Sequence, residues 1–124
     1  MDELEKLRKH WQDDDFQRKH ALAREIVVNR LRELNREYEE KTGQGFVRFI
    51  ETRMKTPESI AEKLQRKDYD VDFDTAVTAL NDISGVRCIC YSVKEIYWTA
   101  RQIGKTDTYT VVKAKDYIRK PKKN

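Results

Sequence analysis

Two pieces of sequence, RMKTPESIAEKLQRK at residues 53–67 and NDISGVR at residues 81–87, decide how this 124-residue chain is read. The first opens on alternating Arg53 and Lys55, which project to one side of an extended segment. Pro57 then suits the first position of a helix, with Thr56 as its N-cap. Carried on to about Lys67, that helix puts Ser59, Lys63 and Arg66 on one face at three- and four-residue intervals. The second piece sets a carboxylate, Asp82, before Gly85 and an apolar run. Cations converging on a turn-borne carboxylate are what a metal–polyphosphate site needs. The lysines and the helix-start N–H groups would hold a triphosphate, and an arginine would stack on a base. Asp82 would offer the hard oxygen that Mg²⁺ prefers. The same residues also fit a plainer arrangement, a solvated basic helix with Asp82 capping the Gly85 turn.

Working outward, residues 46–51 are apolar and β-prone and predict a short strand. Upstream, Leu4, Leu7 and Trp11 recur at helical spacing in a short charged helix from Asp2 to Trp11. Asp13, Asp14 and Asp15 cap and charge the start of a longer one. Ala23, Val27, Leu31, Leu34 and Tyr38 mark its apolar stripe as far as Glu39 or Glu40, and Gly43 and Gly45 end it. Consecutive Ile26, Val27 and Val28 widen the stripe and point to burial on more than one side. Downstream, residues 68–74 read as a loop, and a short helix covers Asp74 to Leu80 with Ala76, Val77 and Leu80 inward. Val86 to Tyr91 reads as a central strand. Ser92 caps a helix through Ile96, Tyr97, Ala100 and Ile103, which Gly104 ends, and Thr108 to Val112 reads as a second strand. Strand, helix and strand in that order predict a parallel crossover. So few strands leave open edges, which predicts either further chain or dimerisation through an edge. The fold class is α+β, with N-terminal helices packed on a mixed sheet, and the organisation is a helical segment at 1–45 followed by a unit at 46–124.

The composition bounds function loosely. Hydrophobic residues make up 38% and charged residues 39% of the chain, with a net charge of +4 and a pI near 9.0. That excess favours polyanionic partners without choosing among nucleotides, nucleic acid and other acidic surfaces. Cys88 and Cys90 alternate along one strand, so they face the same way and are poorly placed for a disulfide. They read as reduced thiols in a cytoplasmic protein. No segment has the apolar length of a membrane span. The aspartates at 68, 70, 72 and 74 imitate a calcium loop, but Phe73 replaces the turn glycine and Ala79 the closing glutamate. His10 and His20 lie far apart without ligand-spaced partners and read as surface histidines.

The ordered motifs resemble a known family. Arg53, Lys55, the sequence TPES at 56–59, Ile60 and Lys63, then DISGVR at 82–87, then KDYI at 115–118 with Pro121, Lys122 and Asn124, are similar to the RelA/SpoT synthetase domain. The N-terminal helices are similar to those of the small, single-domain alarmone synthetases. The resemblance implies a nucleotidyltransferase-like fold that transfers pyrophosphate from ATP to the 3′-hydroxyl of GDP or GTP, making (p)ppGpp. It implies that Arg53 and Arg87 sandwich adenine, and that Lys55, Lys63 and Arg66, with Ser59 on the same helix face, meet the ATP phosphates. It also implies Mg²⁺ on Asp82, an acceptor-nucleotide loop carrying Lys115, Tyr117, Lys120 and Lys122, and a homo-oligomer, a tetramer in the resembled group. Glu95 stands where the family usually has Asp, and Ser84 where Ala is common. The family continues with a Gly-Tyr-x-Ser-x-His segment and later a catalytic Glu, neither of which follows Asn124 here. The expectation is therefore the ATP-binding half of a synthetase domain over 46–124, inactive by itself.

Two other functions fit the same residues. A toxin-type pyrophosphokinase acting on tRNA or adenosine nucleotides would share the ATP half and differ in the acceptor half. A non-catalytic nucleotide- or RNA-binding module would use the basic segment 113–123, and its RNA binding would fall steeply with salt.

Overall fold

The computed structural model describes residues 1–122; Lys123 and Asn124, the end of the basic segment, lie outside the described residues. The elements run α1 (Glu3–Trp11), α2 (Asp14–Thr42), β1 (Val47–Met54), α3 (Pro57–Arg66), α4 (Phe73–Ala79), β2 (Ser84–Cys90) and α5 (Val93–Ile103). The fold is α+β, as expected. Each helix starts where a capping side chain satisfies an N–H that the helix cannot: Asp2, Asp13, Thr56, Asp72 and Ser92 accept from Glu5, Phe16, Ser59, Thr75 and Glu95 respectively. The loop reading of 68–74 thus ends one step early, because Asp72 caps α4 and Phe73 opens it.

The principal core lies where α1 meets α3 and α4. Leu7, Trp11, Ile60, Ala61, Leu64, Ala76, Leu80 and Ile83 form one buried cluster, with Phe16, Met54 and Phe73 against it. The indole N–H of Trp11 donates to the Lys55 carbonyl at 2.8 Å, tying α1 to the junction between β1 and α3. A second aromatic group, Tyr38, Phe46 and Trp98, joins α2 to α5. Val77, expected inward, is 41% exposed, because the α4 face that meets the core is narrow and Ala76 and Leu80 fill it. Ile26 also faces outward, with Val27 and Val28 half-buried, so the wide stripe on α2 is covered on one side only.

At the end of α2, Gly43 adopts φ 88° and returns its N–H to Glu39 at 2.8 Å. That left-handed cap favours glycine over residues with a Cβ. Gly45 is needed for a different reason. A Cβ there would lie 2.6 Å from Asn35 Oδ1, the oxygen that accepts from the N–H groups of Phe46 and Val47 at 2.9 and 3.0 Å. Asn35 is thus the clamp that starts β1, and only a glycine fits beside it.

The sheet differs from the parallel crossover that the sequence predicts. Among the described residues it has two strands, β1 and β2, and they are antiparallel. Strand β1 extends past Glu51 to Met54, because β2 is available to pair with it as far as Ser84. Thr108 to Val112 forms no strand, and Val112 is 94% exposed. Its β-prone residues lack a partner edge, and strand propensity is realised only where a ladder forms. Strand β2 alternates half-buried and exposed residues instead of being covered on both faces. Cys88 and Cys90 lie on the covered face as free thiols. Burial, then the neighbouring Cys90, push the Cys88 thiol up to about 11, which lowers its thiolate fraction at neutral pH.

Candidate nucleotide-binding site

The strand register assembles one side of the site. Gly85 faces Arg53, and Arg87 faces Glu51, so both arginines stand on the exposed face of the sheet as diagonal neighbours. Next to Arg53, nothing lies within 4 Å of where a Gly85 Cβ would be, which leaves open space beside the guanidinium. The Glu51 carboxylate reaches Arg87 at 3.4 Å. Beyond that pair the same face carries Phe49 opposite Ile89, both partly exposed.

The turn before β2 supplies the other side. The Lys55 N–H donates to the Ile83 carbonyl at 2.8 Å, and the Ile83 side chain is anchored in the core. Asp82 is thereby held facing the first turns of α3. Its Oδ2 accepts from Lys55 Nζ at 2.6 Å and from Lys63 Nζ at 2.8 Å. The two lysine side chains are only 17% and 20% exposed, while Asp82 is 47% exposed, so the carboxylate is presented outward on a cationic seat. Burial would raise the Asp82 carboxyl, but the hydrogen bonds and charges of Lys55 and Lys63 outweigh it and bring it down to about 2. Glu51, Arg53, Lys55, Asp82, Gly85, Val86 and Arg87 line a cavity of about 250 Å³.

Other expected site residues stand apart from it. Ser59 is exposed in the first turn of α3, where its N–H serves the Thr56 cap. Arg66 is exposed at the far end of α3, 3.9 Å from Glu62. Neither lines the cavity, and Lys63 reaches it only through Asp82. Lys115, Tyr117, Lys120 and Lys122 surround a second hollow of about 630 Å³ with Ala114, Asp116 and Arg119, and no residue lines both. That segment is shaped by Asp116. Its Oδ1 accepts from the N–H groups of Ile118 and Arg119, and its Oδ2 accepts from the Tyr97 hydroxyl at 2.8 Å.

The surface reading of His20 is corrected. Its Nδ1 lies 2.7 Å from Ser84 Oγ, its ring packs against Phe16, and Arg24 donates to the same hydroxyl at 2.9 Å. Burial, then the Arg24 cation, hold the His20 imidazole below its ordinary value. The signal was in the spacing: Phe16, His20 and Arg24 continue the apolar stripe of α2 backwards at four-residue steps. Glu51 was also missed, since a glutamate inside a short apolar run gives no sign of its cross-strand partner.

Among the described residues, no three or more His, Cys, Asp or Glu side chains gather as a metal cluster, and no helix is long and apolar enough to cross a membrane. Residues 52–124, which hold all of the cavity lining except Glu51, the lysine seat and the Asp116 turn, match the region found in RelA / SpoT proteins. The chain belongs to the RelA/SpoT family. It is 30% identical, over its full length, to the GTP pyrophosphokinase YwaC of Bacillus subtilis, of which it spans 58%. A crystal structure of small alarmone synthetase 1 from Bacillus subtilis, bound to its product pppGpp, superposes with a TM-score of 0.74 at 27% identity, over 89% of this chain and 58% of that one. Small alarmone synthetase 2 from the same organism gives 0.70 at 29% identity, over 90% and 55%. This RelA/SpoT chain therefore spans a little over half the length of the relatives it matches.

Proposed function

We propose that this chain forms the ATP-binding half of a (p)ppGpp synthetase, a GTP pyrophosphokinase that moves pyrophosphate from ATP to the 3′-hydroxyl of GDP or GTP. The observation that carries the reading is the clamp of Lys55 and Lys63 on Asp82, at the edge of a cavity flanked by Arg53 and Arg87. Two arginines on one sheet face suit a stacked base, and two lysines on largely covered stems suit phosphate oxygens. Likeness to a small alarmone synthetase crystallised with AMPCPP, at 28% identity, supports a nucleotide in this fold.

Mg²⁺ fits the donor set in one way only. A lone carboxylate does not make an all-protein cage, but Mg²⁺ is commonly held by one or two carboxylates together with substrate phosphates. Asp82 would hold such an ion, whose contribution is to neutralise charge on the transferred group. Lys55 and Lys63 would orient the phosphate chain, with Ser59 and Arg66 approaching from the exposed side of α3. Lys115, Tyr117, Lys120 and Lys122 would meet the acceptor nucleotide. A homo-oligomer, as in the resembled group, belongs to the same proposal.

The test is calorimetric titration of ATP with Mg²⁺ present. Saturable binding should weaken about tenfold or more in both Lys55→Gln and Lys63→Gln, each of which removes a charge-assisted contact. Unchanged affinity in both variants would remove the phosphate assignment.

A further inference from the structure

Lys55 and Lys63 come from different places, the link just after β1 and the second turn of α3, yet both donate to the same oxygen of Asp82. A hydroxyl or an amide could have held that turn without charge. Instead, a candidate cation ligand is covered by two cations, on the very atom that faces them. The cluster sums to one positive charge, and its lysine side chains are largely covered while its carboxylate side chain is half-exposed. A divalent cation approaching Oδ2 in the ligand-free chain meets two like charges within hydrogen-bond distance of its target, so the ion-free cluster repels it. A polyphosphate approaching the same place meets the opposite: two ammoniums, each able to exchange one carboxylate oxygen for several phosphate oxygens. No further carboxylate lines the cavity except Glu51, whose oxygen is directed to Arg87.

We propose that Lys55 and Lys63 make Asp82 a conditional cation ligand, which is released to bind a divalent ion only after a polyphosphate has taken the two ammoniums away. The inference rests on the reading of Asp82 as the cation ligand of the donor site. The clamp is then a sequential lock: anion first, cation second, with the two bindings strongly coupled because they share the same two lysines. It also keeps Asp82 a competitor of the phosphates whenever the cation is absent. Removing its charge should therefore help an anion that arrives without metal, although the same carboxylate helps one that arrives with metal.

The probes are inorganic tripolyphosphate and Mn²⁺. Calorimetry with tripolyphosphate in a chelator should show binding to the wild-type chain, and binding about three- to tenfold tighter to Asp82→Asn, the scale of one lost charge-assisted contact. Added Mg²⁺ should tighten the wild type and leave Asp82→Asn unchanged. Water-proton relaxation should detect no saturable Mn²⁺ on the anion-free wild type. Lys63→Gln, which removes half of the clamp and stands in should Asp82→Asn not fold, should bind metal-free tripolyphosphate more weakly than the wild type and gain less from added Mg²⁺. Saturable Mn²⁺ on the anion-free wild type, or weaker metal-free tripolyphosphate binding by Asp82→Asn, would overturn the lock. Failure of ATP to bind while tripolyphosphate gives the expected pattern would sink the nucleotide reading and keep the lock; ATP binding together with anion-free Mn²⁺ would do the reverse.

Discussion

At Ser84 one hydroxyl stands between two side chains of α2, His20 and Arg24, just two residues beyond Asp82. With the imidazole neutral, Ser84 Oγ accepts from Arg24 and donates to His20 Nδ1. Burial, then Arg24, depress the folded-state pKa of His20 below 6.5, so the unfolded chain takes up a proton that the folded chain resists. Stability then rises with pH through this window and is lost as pH falls below about 6.5. Urea denaturation should show the wild type losing stability between about pH 7.5 and 5.5 relative to His20→Asn, which keeps a hydrogen-bonding atom near Nδ1 but does not titrate. A difference that stays flat across that range would show that His20 is not tuned by this environment. Residues that declare themselves by local spacing, such as Lys55 and Lys63, were legible in the sequence. Glu51 was not, because its partner lies across a strand pair; the spacing of α2 marks the face of His20 but not its partner Ser84, 64 positions away.

Helices, whose signals are local, were read well as elements. Asp2, Asp13, Thr56 and Ser92 cap where their side chains can reach an N–H a few residues on, and that reach is written in the sequence. Strands are non-local. The residues of β1 past Glu51, among them Arg53, become a strand only because Gly85 and Ser84 lie opposite. Thr108 to Val112, with equal propensity, stays unpaired among the described residues. The start of β1 offers a direct test of what sets an element boundary. Gly45→Ala would press a methyl against Asn35 and loosen two hydrogen bonds to the chain. It should cost about 1–3 kcal/mol in thermal or urea unfolding, and Asn35→Ala should cost a similar amount. The double variant should fall well short of the sum, since both act on one clamp. Additive losses would mean that Asn35 does not hold the strand start.

On the scale of the whole molecule, a helical core carries a two-stranded sheet whose outer face grades from charge to apolar surface. Lys55, Lys63 and Asp82 lie at one end, Arg53 and Arg87 follow, and Phe49 and Ile89 come next. The α1–α3–α4 core fixes the charged end through Trp11 and Ile83. The charged end of the site is therefore carried by the buried core, and residues 105–122, which form no helix or strand, follow it in the chain. The two arginines and the two lysines divide the proposed labour, base against phosphate, and that division can be measured. Calorimetric titration of ATP and of tripolyphosphate, with Mg²⁺, against the wild type and the double variant Arg53→Ala/Arg87→Ala tests it most directly. The double variant should lose about tenfold or more in ATP affinity, the scale of two lost stacking contacts, while tripolyphosphate affinity changes by less than about threefold. Equal losses for both ligands, or an ATP affinity untouched by removing both arginines, would contradict it.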